Sequence, residues 1–201
     1  MSSNRVTGWS VLQRMELSRC LCRSNTRPVQ QEVAQLTPEI KLEWFELLMA
    51  ANVGVTRRVV SLKNGLKSRL ADSEPNFWAY EIEGAVAELV VAKVTNRYWD
   101  GSVNRFKADG DIGKLIQVRH TREHHNRLIV RPDDADHKPY VLVTGFNLVY
   151  RVPGWILGRD AKRPEWREAP VNRAPAYWVK PQDLRPIDTL NEFIVEKEAN
   201  G

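Results

Sequence analysis

Glu88, Asp111, Gln117 and Arg119 are the residues whose types and spacing suit chemistry on a phosphodiester. Gln117 and Arg119 stand two apart in a β-rich run, so their side chains leave one face of a strand, and a turn at Gly113 brings Asp111 beside them. Glu88 falls upstream, inside a long helical pattern. Two carboxylates, an amide oxygen and a backbone carbonyl are a sufficient protein contribution to Mg²⁺, which keeps several waters of its own; Mn²⁺ is the alternative ion. An ion held there activates water and neutralises charge on an in-line transition state, while a nearby cation holds the phosphate. The plainer reading of the same residues is a surface charge on an amphipathic helix and an aspartate in a turn.

Other clusters carry less. His120, His124 and His125 fall in a stretch joining two β runs, with no cysteine or placed carboxylate set for zinc, and read as a polar hairpin. Asp133, Asp134 and Asp136 resemble half a calcium loop but lack its glycine and closing glutamate, so they read as a turn. Basic residues are more suggestive. Arg122 accompanies the histidines, and Arg159, Lys162, Arg163 and Arg167 interleave with Trp155, Trp166 and Trp178, a mixture able to grip phosphates and stack on bases. Aromatic rings packed over a sheet edge with arginines at the rim would produce the same pattern.

The elements that must position these groups are legible from periodicity. Residues 1–36 are polar, Arg-dotted and weakly periodic, and read as a flexible basic arm; residues 37–201 read as one domain. Thr37-Pro38-Glu39 predicts a helix start, followed by Ile40, Trp44, Leu47, Leu48 and Ala51 at helical spacing. Val55, Val59, Leu62 and Leu66 predict a second helix, separated by Gly54 and ending near Gly65. A third helix runs from the Asp72-Ser73-Glu74-Pro75 segment to about Arg97 and holds Glu88. Runs at 115–119, 127–131, 140–144 and 149–157 predict a mixed sheet of about four strands. The Pro- and Trp-rich stretch 160–186 predicts an extended surface loop before a final helix near 189–197.

Three stretches together carry a family resemblance: Gly84-Ala85-Val86-Ala87-Glu88-Leu89, Asp109-Gly110-Asp111 and Gln117-Val118-Arg119. They resemble the PD-(D/E)XK nuclease superfamily, in particular small phage and prophage proteins of that class, over roughly residues 40–186. The resemblance implies a restriction-endonuclease-like α/β fold, with Glu88 as the helix-borne acid, Asp111 as the metal-bridging aspartate, Gln117 as the next ligand and Arg119 in the lysine position. Two of these depart from the usual types. Gln117 is neutral, and Arg119 stays protonated and cannot act as a base, although it can clamp a phosphate.

Composition bounds the reading. The chain has 201 residues, 42% hydrophobic and 27% charged, enough for one substantial core. Its +5 charge favours an anionic partner such as DNA. Cys20 and Cys22 are too close for an unstrained disulfide, which suits a reducing cytoplasm. No apolar run approaches the roughly 20 residues that span a bilayer, and the first 15 residues of the sequence lack a secretory apolar segment. Two functions stand as expectations: metal-dependent hydrolysis of DNA, or a catalytically degenerate module that binds nucleic acid or a protein and interferes with a host enzyme.

Overall fold

The computed structural model describes residues 37, 39–66, 76–103, 110–113, 115–171 and 174–199. The expected basic arm, residues 1–36, and Asp109 lie outside them. A short strand β1 (Glu39–Lys41) precedes two long helices, α1 (Trp44–Lys63) and α2 (Phe77–Val94). Downstream of α2 lie the strands β2 (Gln117–Thr121), β3 (Leu128–Val130), β4 (Pro139–Phe146) and β5 (Val149–Leu157). A one-turn helix α3 (Gly158–Ala161), the two-residue strand β6 (Arg167–Glu168) and strand β7 (Ala176–Val179) come next. Helix α4 (Thr189–Ala199) ends the described chain.

The fold is mixed α/β. A four-stranded sheet has the order β1-β5-β4-β2, antiparallel except for the parallel β2–β4 pair; the periodicity predicts a mixed sheet of about four strands, but Leu128–Val130, expected among them, lies in the second sheet, and Glu39–Lys41 stands at this one's edge. A second, three-stranded sheet, β3-β7-β6, is built partly from the stretch that reads as an extended loop. The correction has a simple cause: Ala176–Val179 pairs antiparallel with Leu128–Val130, 48 positions earlier from Ala176 to Leu128, and no local pattern reveals a partner so distant. Strand β4 is buried from Pro139 to Gly145 because it lies between two apolar layers. Val141 and Val143 face the layer formed with α2 and α4; Tyr140 and Leu142 face the layer formed with β3 and β7.

Both predicted boundaries in the first helical region shift. Of the predicted helix start Thr37-Pro38-Glu39, Pro38 lies outside the described residues and Glu39 does not open a helix, because Glu39–Lys41 pairs with β5 and the Glu39 carboxylate accepts from Arg151 at 2.9 Å. The helix starts at Trp44 instead, with Glu43 and Glu46 forming a reciprocal capping box. Nor does Gly54 divide two helices. It lies within one 20-residue helix, at the point where α1 crosses α2, and a Cβ added there would sit 2.5 Å from the Ile82 Cα and 2.6 Å from the Glu81 carbonyl oxygen. The glycine exists for close approach. Helices α1 and α2 run antiparallel, since Gly54 meets Ile82 while Lys93 Nζ reaches Glu46 Oε2, near the α1 start, at 2.7 Å.

This contact yields a stability prediction. Alanine ordinarily favours a helix interior over glycine by about 1 kcal/mol. Gly54→Ala should instead lower stability by about 1–3 kcal/mol, because the methyl meets backbone that cannot move aside. Urea denaturation checks this, and an unchanged or raised midpoint would mean that the helices can separate freely.

Candidate functional site

Glu88 is the only charged residue in the buried run from Ala85 to Ala92 of α2. Helix α1 supplies its partner. Arg57 Nη1 donates to Oε1 at 2.7 Å and Nη2 to Oε2 at 2.8 Å, while the Trp99 indole N–H donates to Oε2 at 3.1 Å. Arg57 Nε donates to the Ser102 carbonyl at 2.9 Å, so the same guanidinium also anchors the segment after α2. Fork and carboxylate meet in the paired geometry that Arg favours.

Asp111 stands at the open edge of β2. One carboxylate oxygen accepts the Val118 backbone N–H at 2.7 Å, and its own N–H donates to the Ile116 carbonyl at 2.7 Å, closing a tight turn. Asp111 lies near enough to Glu88 and Arg57 for its charge to act on both. Burial pushes both carboxyls above their ordinary values; Arg57 and Trp99 pull Glu88 back only in part, and the Asp111 charge pushes it further up. On Asp111 the Val118 N–H and the charges of Arg119, Arg57 and Lys138 act in the opposite, lowering direction.

Gln117 and Arg119 leave the other face of the sheet. The register pairs Gln117 with Tyr140 and Arg119 with Leu142, both in the layer beside β3 and β7, whereas Val118 and Val141 face α2. Arg119 donates to Asp134 at 3.1 Å and lies 5.0 Å from the Tyr140 ring centre. The strand residues and the helix acid are therefore brought to opposite sides of one sheet. His120, facing the helices, meets the Gly145 carbonyl at 3.0 Å, and burial lowers its pKa.

This donor set does not fit Mg²⁺ or Mn²⁺. Both Glu88 oxygens already accept from Arg57, so an ion would have to displace a buried guanidinium. One Asp111 oxygen is taken by backbone, and Gln117 stands across the sheet. Among the described residues no group of three or more histidines, cysteines, aspartates or glutamates could hold a metal. Arg57 and Trp99 had no signal in the sequence as partners of Glu88: a basic helix face and a tryptophan after a helix are ordinary surface features until the packing is known.

A different feature lies on the Arg119 face. A cleft of about 650 Å³ opens between the two sheets, lined by Arg119, Arg127, Lys180, His125, Asn126 and Trp178 among others, with no carboxylate among the described residues of its wall. Arg127 binds Glu168 through both terminal nitrogens, at 2.5 and 2.8 Å, and its guanidinium carbon lies 5.2 Å from the Trp178 ring centre. The Trp178 indole nitrogen is buried without a hydrogen-bond partner among the described residues.

The basic residues singled out for nucleic acid lie elsewhere. Arg122 binds Glu83 and covers the Phe146 ring; Lys162 binds Asp136 and the Asp134 carbonyl; Arg163 covers Trp166. Arg159 and Arg167 are exposed but do not line the cleft. Trp155 is a core residue whose indole donates to the Pro186 carbonyl and to Thr189. Of the three tryptophans interleaved with these cations, Trp178 alone reaches the cleft wall. Arg127 and Lys180, which line it, flank strands whose pairing is long-range, and nothing in their local sequence marks them. No family model matches the chain, and no curated protein or solved structure is found to be similar to it.

Arg57→Met leaves a buried carboxylate unpaired and should destabilise the fold by about 3–5 kcal/mol; adding Glu88→Leu should restore much of that loss, and a double-mutant cycle in urea measures the coupling. The pH dependence has a defined sign. Glu88 and Asp111 hold protons more tightly folded than unfolded, where their ordinary values are 4.5 and 3.8, so their contribution falls as pH rises from about 4 through the raised values. Asp111→Asn should make the decline in urea midpoint from about pH 4 to about pH 8 shallower than in the parent chain. Parallel curves would place Asp111 in water.

Proposed function

We propose that the protein is a binding module for single-stranded nucleic acid, on a PD-(D/E)XK-like frame that no longer carries out metal-dependent hydrolysis. The observation that carries this reading is the cleft between the sheets, which combines Arg119, Arg127 and Lys180 with Trp178 and contains no carboxylate among its described lining residues. Lys180 is offered to a phosphate, Arg119 and Arg127 add positive charge that they share with Asp134 and Glu168, and the Arg127–Trp178 stack offers flat surfaces to a base. The volume lies in the range of small-ligand sites and suits one or two nucleotides of a strand passing through. The chain's +5 charge supports the approach of a polyanion.

The hydrolytic alternative loses support at Glu88. A nuclease ion needs free carboxylate oxygens, and those of Glu88 are engaged by Arg57. Arg119 suits a phosphate clamp better than a base, since a guanidinium presents a fork of donors and no acceptor.

Fluorescence anisotropy with a labelled oligonucleotide tests the proposal. Arg127→Ala combined with Lys180→Ala should weaken binding at least tenfold and lower the slope of log affinity against log salt by about one for each lost phosphate contact. Arg159→Ala and Arg167→Ala, outside the cleft, should change affinity by less than about twofold. Single strands should bind more tightly than duplex. Metal-dependent cleavage that disappears in Asp111→Asn would overturn the binding-only reading, and no affinity for any nucleic acid would remove it altogether.

A further inference from the structure

Helix α1 has a second face that is exposed among the described residues. Its inward positions, Ala50, Gly54 and Arg57, meet α2, whereas Phe45, Leu48, Asn52, Val55, Val59 and Leu62 point outward and are all exposed. These six succeed one another at intervals of three, four, three, four and three residues. That is the alternation of a and d positions in a heptad, the seam along which one helix packs on another. Trp44 and Met49 flank the seam, with 70% and 51% of their surfaces exposed.

The area is large for a free surface. Trp44 and Phe45 alone leave on the order of 250 Å² in water. The whole stripe, along a 20-residue helix about 30 Å long, reaches on the order of 800 Å², which is what one partner gives to a standard interface. Monomeric proteins rarely expose a patch of that size.

We infer that this face pairs two copies of the chain, α1 against α1, in parallel about a two-fold axis. The polar member of the stripe identifies the occupant. In a parallel pair Asn52 occupies an a position and meets Asn52 of the second copy, where two amides satisfy one another. In the antiparallel arrangement with the same overlap, a positions face d positions, and Asn52 would be set against Val55 with its amide unmet. An unrelated apolar partner would likewise bury Asn52 without a matching group. Both arrangements are isologous about a two-fold axis, but the parallel pair alone sets Asn52 against its own kind. Helix α1 is separate from the cleft, so this inference stands or falls independently of what the cleft binds.

Sedimentation equilibrium on the full chain provides the test. The expected mass is twice 23.1 kDa at micromolar concentration. Val59→Glu combined with Leu62→Glu changes only exposed side chains and should halve the mass while leaving the circular dichroism spectrum and oligonucleotide affinity per chain unchanged. Asn52→Cys, with Cys20 and Cys22 replaced by Ser, should cross-link into a covalent dimer under mild oxidation, as only the parallel register allows. A monomer at all concentrations up to tens of micromolar, a dimer indifferent to the glutamates, or an Asn52→Cys chain that fails to cross-link although dimeric would each overturn the proposal.

Discussion

One carboxylate buried in an apolar helix constrains the helical half of this molecule. Glu88 lies among alanines, valines and a leucine, where an unpaired charge would be strongly unfavourable. Arg57 answers it with two hydrogen bonds, and Trp99 adds a third. For that guanidinium to arrive, α1 must lie close on α2. Gly54, three residues before Arg57 and on the same side of α1, removes the side chain that would hold the helices apart. Arg57 also draws in the Ser102 carbonyl. A single charge thus sets the spacing of two helices and the path of the segment after them.

The period of two along β2 divides the rest. Val118 and His120 turn toward the helices; Arg119 and Thr121 turn toward the cleft between the sheets. A strand cannot present adjacent residues to one side, and its register with β4 is specified by the two apolar layers that bury Val141 and Leu142 on opposite faces. Glu88 therefore lies on one side of the sheet beside the arginine paired with it, and the cleft-lining cations lie on the other beside an indole, with Asp111 at the edge within electrostatic reach of both Arg119 and Arg57. The proposed binding function rests on this separation.

Helix α1 shows how little sequence distance separates a core position from a surface one. Gly54 is enclosed by α2, while Val55, the next residue, is exposed. With 3.6 residues per turn a 20-residue helix carries two independent stripes, one that closes the core and one that is free to meet another helix. The unbroken apolar spacing from Val55 to Leu66 was visible in the sequence. That it faces outward was not, since a stripe has no sign until something packs on the other side.

Although His120 belongs to β2, and β2 and β3 lie in different sheets rather than in the expected hairpin, local patterns were enough for the mixed α/β class, the long helix carrying Glu88, the strand from Val149 to Leu157 and the turn character of His124, His125 and the aspartate cluster. All of these depend on periodicity, glycine and turn chemistry, which act over a few residues. Long-range packing was needed to make Glu39–Lys41 a strand, to keep Gly54 inside one helix, and to join Ala176–Val179 to Leu128–Val130 in a second sheet. The candidate site belongs with these. Glu88 and Asp111 could be read as acids from their surroundings in the chain, but the partners that govern them, Arg57 31 positions from Glu88 and the backbone of Val118, come from other segments. Pairing between distant segments depends on which apolar faces bury one another, and that is a property of the assembled core rather than of any stretch of residues.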